Sequence, residues 1–187
     1  MNLNDDIAPE FTPWPKTPRL FRDCVITEKI DGTNAAVGIL DDGRVYAQSR
    51  KRIVTPDDDN FGFAAWVADN AGTLTDDLGV GLHFGEWWGH GIQRSYGLDE
   101  RRFSLFNTKR HSGAEFYTPG LGVVPVLYEG LFNTRAVDFA LDTLEIVGSK
   151  AVSGFMRPEG VVVFHVAAQQ IFKALLENDD TPKGEAA

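Results

Sequence analysis

Apolar and polar positions divide this chain into short elements. Val25 to Ile30 reads as a strand, and Thr33 to Leu40 as a second. Asp41-Asp42-Gly43 is a tight-turn signal, so Arg44 to Gln48 returns as a third strand. Phe63, Trp66, Val67 and Ala71 recur at helical spacing and place a helix at about 61–71. Gly81 to Trp87 reads as a buried strand, Phe103 to Asn107 as a short one, and Val123 to Glu129 as another. Val137, Ala140, Leu141, Leu144 and Val147 mark one face of an amphipathic helix, with Asn133 or Thr134 as N-cap and Gly148 as its stop. Gly160 to Val166 is a strongly apolar strand, and Gln170 to Leu175 is placed to pair near it. Hairpins and separate helices without regular βαβ alternation indicate an α+β fold. Pro9, Pro13, Pro15 and Pro18 make residues 1–19 an extended lead-in, and the small polar residues Thr181 to Ala187 form a frayed tail. With no repeat or long linker, residues 1–187 read as a single domain.

Composition narrows the classes. At 187 residues and 43% hydrophobic, the chain can build a core without disulfides or structural metals. The single cysteine, Cys24, excludes an internal disulfide framework and a multi-cysteine zinc site, and fits a cytoplasmic setting. No segment approaches the roughly 18 apolar residues that span a bilayer, and Met1 to Asp6 lacks the basic and apolar regions of a signal peptide. A net charge of −9 argues against a protein that coats nucleic acid with a basic face. It leaves room for a local basic groove, because Arg50-Lys51-Arg52, Arg101-Arg102 and Lys109-Arg110 are clustered. His83, His90, His111 and His165 show no metal-ligand spacing, and Trp87 and Trp88 suit core and cleft wall better than base stacking.

The chemistry centres on Glu28-Lys29-Ile30-Asp31-Gly32-Thr33-Asn34. A lysine at a strand end, followed by Asp-Gly at a turn, is held by rigid backbone and can point into a cleft, where burial or nearby cations make its amine nucleophilic. Alone, this tetrapeptide reads more readily as a β-turn with a surface lysine. Five further segments follow in order: Ser49-Arg50-Lys51-Arg52, Phe84-Gly85-Glu86-Trp87-Trp88-Gly89, Phe103-Ser104-Leu105-Phe106-Asn107, Pro158-Glu159-Gly160-Val161-Val162-Val163 and Ile171-Phe172-Lys173. Together the six resemble motifs I, Ia, III, IIIa, IV and V of the covalent nucleotidyltransferases, the superfamily of ATP-dependent ligases and mRNA capping enzymes.

The resemblance implies a nucleotidyltransferase domain of antiparallel sheets enclosing an ATP cleft, flanked by helices and without an oligonucleotide-binding barrel. Lys29 would attack the α-phosphate of ATP and Lys173 would neutralise charge there. Glu28 would lie against the adenine edge, mostly through backbone groups, Phe103 would stack on the base, Glu86 would take a ribose hydroxyl, and Arg50 would contact ribose or phosphate. Glu159 would hold Mg²⁺ or Mn²⁺, directly or through water. Arg52 and Arg94 are candidates for the substrate phosphate. The family's second motif V lysine is absent: Ile171 and Leu175 stand at that spacing from Lys173, so one phosphate contact is either missing or supplied by Arg52 or Lys183. Asn34, where DNA ligases and capping enzymes usually carry arginine, is similar to the type-two phage RNA ligases. The implied reaction joins an RNA 5′-phosphate to a 3′-hydroxyl through lysyl-AMP and an adenylylated 5′ end, with a nicked duplex as one form of substrate. A bacterial or phage-infected cell is the expected setting. A minimal DNA nick-sealing ligase and a non-catalytic binder of nucleotides or RNA ends are the alternatives.

Overall fold

The structure, a computed structural model, describes residues 10–177. The first half of the expected lead-in, the tail Thr181 to Ala187 and Lys183 lie outside the described residues. Residues 10–19 form no helix or strand and are exposed.

Ten strands and three helices follow along the described residues. β1 (Asp23–Lys29), β8 (Val126–Leu131), β9 (Gly160–His165) and β10 (Gln170–Leu175) build an antiparallel sheet in the order β10-β9-β1-β8. β2 (Thr33–Ile39), β3 (Val45–Ser49), β4 (Ile53–Val54), β5 (Gly81–Gly89), β6 (Arg101–Leu105) and β7 (Leu121–Val123) build the second, in the order β4-β3-β2-β5-β6-β7. Only the β6–β7 pair in it is parallel. The helices are α1 (Phe63–Asp69), α2 (Ala71–Leu78) and α3 (Thr134–Val147). None of them is long and apolar enough to cross a membrane.

Each sheet buries one face under helices. Ala35, Val37, Trp87, Phe103 and Leu105 pack with Phe63, Ala64, Val67 and Leu74 of α1 and α2. Cys24, Ile26, Val161 and Val163 pack with Ala136, Ala140 and Leu144 of α3. Strand side chains alternate between faces, so the remaining residues of each strand are left for the other side. A small cluster of Ile30, Trp88, Tyr96 and Val124 ties the sheets together where β1 turns into β2. α3 starts at Asn133, whose side chain accepts from the Ala136 N–H at 2.9 Å, and stops at Gly148 with φ 88°.

The expected elements differ from the observed ones in several places, among them the strand expected at Phe103 to Asn107, which runs from Arg101 to Leu105. The helix at 61–71 breaks at Asn70, whose side-chain amide donates to the Trp66 carbonyl at 2.8 Å, and a second helix begins at Ala71. Its sequence, AGTLTDDL, carries weak helix formers, so tertiary packing of Leu74 and Leu78 selects it. The strand at 123–129 is two strands, because Pro125 lacks an N–H and interrupts the ladder. β5 is not buried throughout, since Leu82 and Phe84 are exposed on it. The two-residue β4 and three-residue β7 are too short to leave a sequence pattern.

Candidate active site

Lys29 ends β1 on the face opposite Cys24, Ile26 and Glu28, and its Nζ lies 2.6 Å from Oε2 of Glu159. Glu159 reaches this position because Gly160 pairs directly with Lys29 across the β1–β9 ladder. No other residue fits at 160: φ is +149° and a Cβ would lie 2.3 Å from the Ala174 carbonyl oxygen. Thr27, Val162 and Lys173 lie in the next row of the same face, two residues along. Lys173 is exposed and makes no hydrogen bond or ion pair among the described residues. Ile171 and Leu175 share its face, so the missing second lysine of motif V is missing from this side of the sheet.

The other wall comes from β2 and β5. Asn34 pairs with Glu86, and its amide donates to Glu86 Oε2 at 2.9 Å, while the Gly32 N–H donates to Oε1 at 3.2 Å. Gly32 must be glycine for a different reason, close approach: a Cβ there would lie 2.4 Å from the Trp87 carbonyl. Burial raises Glu86 to about 7; Lys29, Asn34 and Gly32 pull it down, and Glu159 pushes it up. Lys29, Glu86 and Glu159 thus form one electrostatically coupled group, with two carboxylates against one cation.

Beside them, Arg50 and Lys51 are exposed and free of ion pairs among the described residues, on a cavity of about 350 Å³ lined also by Thr33, Ser49 and Asn60. Its cations and small hydroxyls suit an oxyanion.

Other expected site residues stand elsewhere. The Glu28 carboxylate lies on the α3 side of β1, away from Lys29, and accepts from Ser149 Oγ at 2.6 Å and from the N–H groups of Lys150 and Ala151 at 2.7 and 3.0 Å. Burial pushes its carboxyl up in pKa against these hydrogen bonds. Its own N–H is spent on the Pro125 carbonyl. Phe103 is 0% exposed and sits in the α1 core, 5.1 Å from the Phe63 ring and 5.9 Å from Trp66, so it offers no ring face to a ligand. Exposed rings on the Glu86 side of this sheet include Phe84, 54% exposed, and its neighbour across the ladder Phe106, 44% exposed, neither of which the motif resemblance gives a role. Strand alternation is the signal that distinguishes them: Phe84 and Glu86 share a face, as Phe106 and Ser104 do. Arg52 lines the same cavity as Arg50 and Lys51, but its guanidinium is bound bidentately by Asp58 at 2.5 and 2.9 Å. Arg94 is committed to Asp31 at 3.0 Å and to the Arg157 carbonyl at 2.9 Å. Neither points an unspent guanidinium at the cleft.

No curated protein sequence matches the chain. Among solved structures, an archaeal ATP-dependent RNA ligase superposes with a TM-score of 0.58 at 18% identity, over 88% of this chain and 48% of that one. Two mutants of a Naegleria gruberi RNA ligase, each with ATP and Mn, superpose with TM-scores of 0.57 and 0.56 at 18% identity, over 84% and 82% of this chain and 51% and 49% of those. These likenesses are of fold, and the chain spans about half the length of the ligases it matches. The family model described as RNA ligase matches residues 22–175, from the start of β1 to the end of β10. With that span running through Lys29, Glu86, Glu159 and Lys173, the chain belongs to the RNA ligase family.

Proposed function

We propose that this chain is an ATP-dependent RNA ligase that works through a lysyl-AMP intermediate on Lys29. The observation that carries the reading is the placement of Lys29 Nζ at 2.6 Å from Glu159 and within electrostatic reach of Glu86, in a chain of the RNA ligase family. In the first step the neutral Lys29 amine attacks the α-phosphorus of ATP. An N–P bond forms, the bond to the bridging oxygen breaks, pyrophosphate leaves, and the amine proton passes to solvent. AMP then moves to an RNA 5′-phosphate, and a 3′-hydroxyl displaces it to close the strand.

The chain's own residues divide the work. Lys173, on the Lys29 face of its sheet, neutralises charge on the α-phosphate. Glu86, held by Asn34 and Gly32, takes a ribose hydroxyl. The base rests on Phe84 and Phe106 rather than Phe103, because of these three rings Phe103 alone is fully buried. Arg50 and Lys51 receive a phosphate in their cavity. Mg²⁺ or Mn²⁺ suits the Glu159 and Glu86 carboxylates, since such ions are held by one or two carboxylates plus phosphate oxygens and water. The metal supplies charge neutralisation at the phosphates. RNA over DNA rests on Asn34 and the family match, and the cytoplasmic setting remains part of the proposal.

The test is labelling with α-³²P-ATP and Mg²⁺ or Mn²⁺. The protein should acquire an acid-labile label after denaturation, and Lys29→Ala should not. Unlabelled wild type, or a labelled Lys29→Ala, would sink the mechanism, and GTP labelling in place of ATP would change the nucleotide. Unlabelled wild type that still binds nucleotide or RNA ends would favour the non-catalytic alternative, to which the single motif V lysine lends weight. Nicked and single-stranded RNA and DNA then identify the substrate.

A further inference from the structure

The loop that follows β5 is built against its own backbone preferences. Gln93, Ser95 and Tyr96 have φ of 44°, 54° and 53°, left-handed values that residues other than glycine seldom adopt. Something must hold the segment there. Tyr96 is buried, with its ring 4.9 Å from Trp88 and 4.4 Å from Phe155, and its hydroxyl accepts from the Asp31 N–H at 2.8 Å. Arg94, between these strained residues, sends Nε to the Asp31 carboxylate at 3.0 Å and Nη1 to the Arg157 carbonyl at 2.9 Å, with the Pro158 carbonyl at 3.5 Å. Its Nη2 lies 3.8 Å from the Glu177 carboxylate, just beyond β10.

These partners have something in common. Asp31 stands two residues after Lys29, and Arg157 and Pro158 immediately precede Glu159. One guanidinium therefore grips the chain just past the lysine and just before the carboxylate, 63 residues from either Asp31 or Arg157 in sequence. The five N–H groups of arginine lie in one rigid plane, so a single side chain can fix several acceptors relative to each other.

We propose that Arg94 is a positioning residue: a strut that sets the separation of Lys29 and Glu159 and so the geometry of lysine adenylylation, rather than a contact to the substrate phosphate. It touches neither reacting atom. The proposal rests on the ligase reading of the site for its functional consequence, and on the hydrogen bonds alone for its structural one. Misplacement by about 1 Å costs on the order of a hundredfold in rate, so Arg94→Ala should slow single-turnover labelling of Lys29 by about that factor while the half-saturating ATP concentration changes less than about threefold. The half-saturating Mg²⁺ concentration should rise, because Glu159 is no longer held in place. Ethylguanidinium added to Arg94→Ala should restore part of the rate, which lost fold stability would not explain. Arg94→Lys, whose single ammonium cannot span Asp31 and Arg157 together, should fall between wild type and Arg94→Ala, and it keeps the test alive if Arg94→Ala does not fold.

A crystal structure of the variant that folds reads the strut without turnover: Lys29 and Glu159 should lose their 2.6 Å contact. The proposal is overturned if that contact persists unchanged. It is also overturned if Arg94→Lys or Arg94→Ala labels at the wild-type rate, or if the variants label normally and lose only AMP transfer to RNA, which would make Arg94 a phosphate contact. A wild type that takes no label refutes the ligase reading instead, and the crystallographic arm still decides the strut.

Discussion

Replacing Glu86 with glutamine should make the protein's stability respond differently to pH, by an amount that follows from the site. Glu86 is buried, and its carboxyl is raised from 4.5 to about 7 because desolvation outweighs the help of Lys29, Asn34 and Gly32. A folded-state value above the unfolded one means that the folded protein binds the proton more tightly. The stabilisation is fully present below about pH 4.5 and is lost as pH rises through 7. A difference of that size corresponds to about 3 kcal/mol between the ends of the window. Glutamine cannot ionise, keeps an oxygen to accept from Gly32 or Asn34, and removes this dependence. Urea denaturation midpoints of both proteins at half-unit intervals from pH 4.5 to 8 would show it. The stability of wild type relative to Glu86→Gln should fall by about 3 kcal/mol across the window, with the steepest decline midway between 4.5 and 7 and a levelling above 7. A difference that stays constant within about 0.5 kcal/mol would mean that the carboxylate is fully compensated where it lies, and the assigned balance of burial over ion pairing would be wrong.

Two further perturbations separate core from cleft. Phe103→Ala should cost about 4 kcal/mol in urea unfolding, as a buried aromatic does. Phe106→Ala should stay within about 1 kcal/mol of wild type while raising the ATP concentration that half-saturates lysine labelling severalfold; the reverse pattern would return base stacking to Phe103. Glu28→Ala should lower stability by about 3 kcal/mol at pH 7, because the hydroxyl of Ser149 and the N–H groups of Lys150 and Ala151 lose their shared acceptor. Unchanged thermal unfolding together with lost nucleotide binding would place Glu28 in the ligand site after all.

What could be read in the sequence was what is local. The β2–β3 hairpin carries its own turn in Asp41-Asp42-Gly43, and α3 carries both caps and a complete apolar face, so neither needs a distant partner to be recognised. The short β4 and β7 exist because β3 and β6 offer them an edge, and nothing in two or three residues announces that. At the site, the motifs put Lys29, Glu86 and Lys173 on β1, β5 and β10, with Glu159 just before β9. Motif membership said less about direction. Glu28 and Lys29 are consecutive in one strand and so point to opposite faces, which leaves the backbone of Glu28, rather than its carboxylate, for the adenine contact that the resemblance implies. Arg52 and Arg94 could not be assigned without their partners, since only the fold brings Asp58, Asp31 and the Arg157 carbonyl to them.

The contact between Lys29 and Glu159 also bears on how a turnover begins. If Lys29 is the nucleophile proposed above, its Nζ must first part from the Glu159 carboxylate, so breaking this 2.6 Å contact is an event that nucleotide binding has to bring about. The exposed Lys173 makes no ion pair among the described residues, so in the same proposal it meets the nucleotide without breaking one.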